Sequence, residues 1–369
     1  MKSDLLPIGT PAMPTDVPTP SLIRDSVLVD PDAVRILDRR RFPFSRTWVT
    51  CRTVEEVAVA IEEMVTQSSG PLFAAAGGMV LAARVADGGA AGGSREAVLA
   101  EAARRLRATR PTNNGIREAV SAILEAAAAP LESGDALVPV VEEAARAVGD
   151  RYLQRSRRLG EHAAALLSDG DTVLTHCWGE SYVTETVAAC LRAGKRISMI
   201  CTETRPYLQG ARLTAESLAE MGVEVSVVTD GMPAHLMSRG DISALITAAD
   251  RVTMDGHVVN KIGTLQLALA AHAFDVPYTA LVQAPDEHAP DAASVPLEDR
   301  DGDEVLFLSG QRTASERAVG IYPAFDVTPP RFISAIATDR GRFAPRDLRS
   351  YASAPAADLT LKAGERSWM

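Results

Sequence analysis

The hydrophobic period of the chain changes once, near Gly170, and that change narrows the folds open to it more than any other feature. Before it, apolar residues recur at helical spacing. The segment TVEEVAVAIEEMV lines up Val54, Val57, Ile61 and Met64 behind Thr53, with Glu56 three residues on, a capping-box pattern that predicts a helix. SSGPLFAAAGGMVLAARVA follows, then a Gly-rich break at 88–93 and helical patterns near 95–107, 115–129 and 136–166. The run Ala126 to Ala129 reads as a helix end, since Ala is the best helix former. After Gly170, short apolar runs (TVLTH, RISMICTE, VEVSVVTD, ISALITAADRV, PYTALVQ) alternate with helical stretches starting near Tyr182, Leu208, Pro233 and Ile262. Strands spaced by helices are the crossover units of a parallel sheet. The expected fold is α/β, with a helical N-terminal domain at 46–168 and a Rossmann-like parallel-sheet domain at 169–345. Prolines at 7, 11, 14, 18, 20, 31 and 43 bar a long helix at 1–45, where an extended, partly ordered arm is expected. Residues 346–369 form a tail.

Composition then removes whole classes of function. With 46% hydrophobic and 23% charged residues in 369, the chain is ordinary globular material. Its 38 Lys and Arg against 48 Asp and Glu leave a net charge of -10 with no dense basic run, which excludes nucleic acid as the main partner. Cys51, Cys177, Cys190 and Cys201 form no CxxC and no zinc-finger spacing, and the histidines form no HxH or HExxH. No metal is expected. The thiols read as reduced, and neither an 18-residue apolar run nor the apolar core of a secretion signal is present, so the expectation is a cytoplasmic protein away from the membrane. No GxGxxG follows the first strand, so a dinucleotide has no support and no cofactor is expected.

Ligands of open parallel sheets collect at the carboxyl ends of the strands, and that is where the chemistry-bearing residues fall. The first strand runs into His176, Cys177, Trp178, Gly179 and Glu180. A thiol there gains from the dipole of the next helix, which would lower its pKa, although a strand-end Cys is also a common buried hydrophobe. His176 faces away from Cys177, because neighbours on a strand point to opposite sides. Cys190 and Cys201, among apolar neighbours, read as core. Arg205 and Gln209 bracket the start of the second crossover helix and suit a phosphate or sugar hydroxyl; Arg205 paired with an acid is the other reading. The fourth strand delivers Asp250, and DGHVVNKIGT brings Asn260 and Lys261 to a further helix start. An acid in an apolar strand invites a raised pKa and proton transfer, or caps a turn; Lys261 offers a phosphate-sized charge. Arg110, Pro111 and Thr112 lead into the helix at 115, an anion-binding cap or a plain one.

Taken in order, THC at 175–177, ETRPYLQGARLTA at 203–215, ADRVTMDGHVVNKIGTLQLALAA at 249–271 and YPAFDVTPPRFISAI at 322–336 resemble the methylthioribose-1-phosphate isomerase family. That family is related to ribose-1,5-bisphosphate isomerases and to regulatory subunits of initiation factor 2B. TVEEVAVAIEEM, RPT at 110–112 and VPLEDRDGDEV at 295–305 extend the match over roughly 47–345. The resemblance implies a homodimer and a cofactor-free isomerisation of a 5-substituted ribose 1-phosphate to the ribulose 1-phosphate. It implies that Cys177 and Asp250 are the catalytic pair and that Arg110, Gln209, Asn260 and Lys261 hold the phosphate and hydroxyls; because a locked furanose must be opened by an acid before hydrogen can move, Asp250 is expected to assist ring opening and Cys177 to handle the hydrogen at C1/C2. Methylthioribose 1-phosphate is the default substrate. Ribose 1,5-bisphosphate, or a non-catalytic subunit that senses a sugar phosphate or nucleotide, is the alternative.

Two departures stand out. Where these isomerases carry an RGAP-type loop with a phosphate-binding arginine, this chain reads Gln67, Ser68, Ser69, Gly70, Pro71. One phosphate ligand is therefore missing or comes from elsewhere, and Ser69 joins the substrate-binding candidates. After the cysteine, Trp178, Gly179, Glu180 and Ser181 replace an NTG run, so an indole and a carboxylate are expected beside the reacting carbons, where they would select a different 5-substituent or a different sugar.

Overall fold

A computed structural model describes residues 17–89, 93–110 and 113–356. The prolines at 7, 11 and 14, the middle of the Gly-rich break, Pro111, Thr112 and the end of the tail lie outside the described residues.

The segment from Val17 to Ser45 is built into the fold where an extended arm is expected. A four-residue turn of helix, α1 (Ser21–Arg24), leads into β1 (Val27–Val29) and β2 (Val34–Leu37), which pair antiparallel with each other and with β3 (Trp48–Cys51). Pro20, Pro31 and Pro43 fall between elements, where a missing N–H is harmless. What orders the segment is burial: Leu22, Val34, Ile36, Leu37 and Phe42 are shut from solvent. Five helices follow, α2 (Val54–Glu62), α3 (Gly70–Asp87), α4 (Arg95–Ala108), α5 (Asn114–Ser133) and α6 (Val138–Ala164). Thr53 caps α2 with both hydrogen bonds of the capping box. α3 is apolar on every side and is buried through the middle of the bundle, as such a helix must be. Ile61, Met79, Leu106, Ile123 and Val141 share one core with Val34 and Ile36 of the small sheet.

The second core is a seven-stranded sheet. Its first six strands are β4 (Thr172–Thr175), β5 (Ser198–Thr202), β6 (Glu224–Val228), β7 (Ala244–Ala248), β10 (Tyr278–Leu281) and β16 (Ala335–Thr338), and an antiparallel β17 (Gly341–Phe343) edges it. The spatial order β17-β16-β10-β7-β4-β5-β6 is the doubly wound Rossmann arrangement, all parallel apart from β17. Crossovers run through α7 (Glu180–Arg192), a π-turn at Gly210–Thr214 with α8 (Ala215–Glu220), α9 (Pro233–Ser238) and α10 (Thr264–Ala273). Strand alternation divides the interior in two: Val173, Ile246, Leu281 and Ala337 face one helix layer, and Leu174, Leu245, Ala280 and Ile336 the other.

α6 ties the two cores together, since Val141 and Ala145 lie in the first and Leu159 and Ala163 in the second. It crosses α7 so closely that a Cβ at Gly160 would stand 2.5 Å from the Glu185 carbonyl carbon. An excursion after β7 makes the hairpin β8 (Arg251–Val252) and β9 (Val258–Lys261), and β9 pairs with β15 (Phe325–Thr328). Between β10 and β15 run β11 (Asp299–Arg300), α11 (Asp303–Leu306), β12 (Phe307–Leu308), β13 (Gln311–Arg312) and β14 (Tyr322–Pro323), with β11 paired to β14. Among the described residues no helix is long and apolar enough to cross a membrane.

Candidate active site

Strand order reverses at β4. Its successor β5 lies on one side, while β7, which comes after β6, returns to the other. The crevice beyond the carboxyl ends of β4 and β7 is therefore the topological switch point of the sheet, the place where open α/β sheets take their ligands. Thr175 of β4 is level with Ile246 of β7, so Cys177 and Asp250, each just past its strand, flank that crevice.

Cys177 adopts a left-handed backbone with φ 62°, unfavourable for a residue with a side chain and held by its neighbours. Its N–H donates to Thr204 Oγ1 at 2.9 Å, and its carbonyl accepts from Thr214 Oγ1 at 2.5 Å. Thr204, itself at φ 62°, is fixed by its N–H donating to Asp230. The expectation of an acidified thiol does not hold: burial pushes the Cys177 thiol up, opposed by the Lys261 ammonium and the Trp178 N–H. His176 turns away, its ring engaged by Thr202 Oγ1 at 2.6 Å and the Ile262 carbonyl at 2.9 Å, and burial keeps it neutral-favouring.

Asp250 is solvent-accessible in the crevice, yet the protein packed around it raises its pKa, with Arg251, Lys261 and Arg110 pulling back and Glu298 adding to the rise. Its own N–H is tied to the Val259 carbonyl at 3.0 Å. The carboxyl is thus held toward its neutral, proton-donating form. Lys261 ends β9 opposite Phe325 and is buried, its ammonium 4.6 Å from the Phe325 ring and 5.8 Å from Tyr322. Burial lowers its pKa, while Cys177 and Asp250 favour its charge. Arg110 reaches the same cluster, half-buried, with its guanidinium on the Met64 sulfur; burial lowers its pKa, and it lies within electrostatic reach of Glu298, Arg300 and Asp250.

Of the other sequence candidates, Gln209 is buried at the head of the π-turn after β5. Asn260, buried next to Lys261 at the end of β9, has its amide donating to Thr264 Oγ1 at 3.0 Å. Arg205 is turned from the crevice to the Val305 and Phe307 carbonyls, at 2.9 and 3.0 Å, so it secures the β11–β13 segment where a phosphate contact was expected. Trp178, Gly179, Glu180 and Ser69 gather at a separate joint between the small sheet, α3 and α7. Trp178 packs among Leu22, Leu37, Phe42 and Leu213, so the indole fills a small core and not the space beside the reacting carbons. Glu180 accepts from the Ser69 N–H at 2.9 Å and pairs with Arg39 at 3.3 Å. Three residues of the crevice were not foreseen, Glu298, Arg300 and Tyr322. Arg300 stands opposite Tyr322 in the β11–β14 register, and its charge is felt by Arg110 and Lys261. The charge density of VPLEDRDGDEV hinted at Glu298 and Arg300, and Tyr322 opens the motif YPAFDVTPPRFISAI. Among the described residues no group of His, Cys, Asp and Glu is arranged to hold a metal.

A crevice with Asp250 held toward its neutral form, one thiol, Lys261 and Arg110 without ion-pair partners among the described residues, and Glu298 and the Arg300–Glu304 pair at its edge suits an anionic, hydroxylated small molecule that exchanges protons. Comparison with known proteins agrees. Residues 66–345 match the initiation factor 2 subunit family. A methylthioribose-1-phosphate isomerase of Thermotoga neapolitana is 36% identical over 324 residues, covering 85% of this chain and 93% of that protein. The Anaeromyxobacter dehalogenans protein of the same name is 38% identical over 321 residues, covering 84% of this chain and 90% of its own. Among solved structures, a 5-methylthioribose 1-phosphate isomerase from Pyrococcus horikoshii superposes with a TM-score of 0.79 at 29% identity, covering 91% of this chain and 97% of that one. The initiation factor eIF-2B subunit delta from A. fulgidus gives 0.75 at 31% identity, over 87% and 96%.

Proposed function

The chain belongs to the initiation factor 2 subunit family, and from that premise we propose that it is an aldose-ketose isomerase converting a 5-substituted ribose 1-phosphate, methylthioribose 1-phosphate first among them, to the ribulose 1-phosphate. The observation that carries the reading is the placement of Cys177 and Asp250 on either side of the switch point, with the Lys261 ammonium acting on both.

A sugar phosphorylated on its anomeric oxygen is a locked furanose, so the ring must open before hydrogen can move. Asp250 gives its proton to the ring oxygen as the bond from C1 to that oxygen breaks. Hydrogen then moves from C2 to C1 beside Cys177, the C2 hydroxyl becomes the ketone, and its proton restores the pair. Both groups have raised pKa values, so the thiol keeps its proton at neutral pH and the carboxyl is shifted toward the form that can give one. Lys261 and Arg110, with Gln209 and Asn260, hold the phosphate and hydroxyls; a dianion relieves the mutual repulsion of the cations. The enzyme acts as a cytoplasmic homodimer. Its four cysteines are free thiols, which suits a reducing compartment, and the edge strand β6, with Val227 half exposed, offers a face to a second copy. A monomer mass in sedimentation would remove the dimer from this reading.

The test is direct. Purified protein is incubated with ribose 1-phosphates carrying methylthio, hydroxyl, hydrogen or phosphate at C5, and ketose 1-phosphate is followed by NMR. Conversion of the methylthio compound is expected. Binding without conversion of any member would overturn the isomerase in favour of a sensing subunit.

A further inference from the structure

We infer that Arg39 is a positioning residue for Cys177, acting through Glu180 to hold the turn that carries the thiol. This rests on the isomerase reading for its kinetic consequences only. The turn from Cys177 to Glu180 begins and ends on left-handed residues with side chains, at φ 62° and 45°. Such a backbone persists only where its surroundings over-determine it. Thr204 and Thr214 hold its first residue. Its last is held by the Glu180 carboxylate, which accepts from the Ser69 N–H at 2.9 Å, the Tyr152 hydroxyl at 3.2 Å and Arg39 Nη2 at 3.3 Å.

Arg39 is the fully buried member of that set, at 0% exposure. Its Nη1 donates to the Gln67 carbonyl at 2.5 Å and its Nη2 to Ser26 Oγ at 2.7 Å, so one guanidinium clamps the small sheet, the loop before α3 and Glu180 together. Its face lies 5.8 Å from the centre of the Trp178 ring, within the same turn. Glu180 is its one ion-pair partner among the described residues, and its Nε is buried without a partner. The loop is shaped to admit it. A side chain at Gly70 would collide with Thr66 Oγ1 and would reach within 3.2 Å of Arg39 Nη2. Arg39 thus stands at the loop from which a phosphate-binding arginine is missing, but sealed, with its charge spent on Glu180. It also lies before residue 66, where the family match begins. A residue with no other role in the crevice therefore governs how the thiol is presented.

The experiment compares the full chain with Arg39→Lys, which keeps the charge and loses the fork, and with the double variant Arg39→Gln/Glu180→Gln, which leaves no buried charge uncompensated. Alkylation of Cys177 by iodoacetamide is read by peptide mass across pH, beside kcat and KM. Cys51, Cys190 and Cys201, buried and with thiols pushed up to about 11, about 11 and about 12, report whether the fold is intact by staying unlabelled. Faster Cys177 labelling is expected in folded variants, with kcat falling between about 10- and 100-fold and KM within about twofold, the lysine variant less affected than the double one. A folded variant of either kind with wild-type labelling and kcat overturns the proposal. Loss of folded protein in both variants also overturns it, since Arg39 would then be a structural residue only. Wild-type protein that converts no sugar phosphate ends the isomerase reading instead, and the labelling still decides for or against Arg39.

Discussion

Two clusters of buried charge meet within four residues of each other, at Cys177 and at Glu180, and they are built on opposite terms. At the joint, Arg39 and Glu180 are sealed from water and matched, one cation to one carboxylate, with neutral donors completing the carboxylate's bonds. At the switch point, Lys261 and Arg110 rest on Phe325, Tyr322 and Met64 in place of carboxylates, and the nearby Asp250 is held toward its neutral form. A matched pair in a sealed place has nothing left to offer a ligand, and what it fixes is backbone. An excess of cations in an accessible crevice raises the energy of the empty protein and is relieved by an anion. The comparison predicts that substitutions at the joint lower stability first and turnover second, and that substitutions at the crevice do the reverse.

The largest effect is expected at the crevice. Cys177→Ser and Asp250→Asn should each lower kcat by about 10²- to 10⁴-fold with an unchanged thermal midpoint, measured on the same sugar phosphate. A large fall in midpoint would move these residues to the structural side of the comparison. The pH profile sharpens it. Turnover needs the proton on Asp250, so activity should fall as pH rises through the carboxyl's pKa, the first limb, and fall further as the thiol ionises, the second. The protein packed around them raises both, so the first limb should lie above the ordinary carboxyl value of 3.8 and the second above the thiol's 9.0. An alkaline limb below 9.0 that is absent in Cys177→Ser would break the account of the thiol.

At the joint, Glu180→Gln leaves the Arg39 guanidinium buried without its counter-charge and should destabilise the fold by about 3–5 kcal/mol in denaturant titration. Removing both charges should recover most of that loss. If the single and double variants are equally unstable, the ion pair is not what holds the joint. The crevice gives the contrasting, smaller effect. Lys261→Met should raise KM for the sugar phosphate by about 10- to 100-fold, the range of a charge-assisted hydrogen bond, while stability stays level or rises. Because the ammonium favours the ionised forms of both Asp250 and Cys177, its loss should also move both limbs of the pH profile upward.

How far these regions were legible in the sequence follows the same division. The change of period at Gly170 exposed the parallel strands, because a short apolar run followed by a helical stretch is a local pattern, and five runs repeated it. Cys177 and Asp250 could be reached because strand ends are where open sheets take ligands, and the motifs around them narrowed the choice. The joint was illegible because it is non-local. Arg39 and Glu180 are 141 residues apart, and Arg39 sits among Arg40, Arg41 and Pro43, which read as a polar, extended stretch. Trp178 was misplaced for a related reason: its strand predicts which side of the sheet it leaves from, but the apolar partners that capture it, Leu22, Leu37 and Phe42, come from the segment whose burial the prolines concealed.

Arg205 gives the smallest expected effect and the finest division between the two kinds of region. It starts from the crevice side, one residue after Thr204, yet its guanidinium donates to the Val305 and Phe307 carbonyls, so by its bonds it belongs with the joint. Hydrogen bonds of this kind on a part-exposed side chain contribute about 1 kcal/mol each, and here they act on one local segment. Arg205→Ala should therefore lower kcat/KM by less than about fivefold and leave the global midpoint nearly unchanged. Amide hydrogen exchange should quicken locally across residues 303–312, which the two carbonyl contacts anchor. The opposite pattern, a KM raised about 100-fold with exchange in that segment untouched, would mean that the guanidinium leaves the carbonyls for the phosphate when substrate binds. Arg205 would then count with Lys261 and Arg110, and the line between the matched region and the unmatched one would have to be drawn in the presence of the anion.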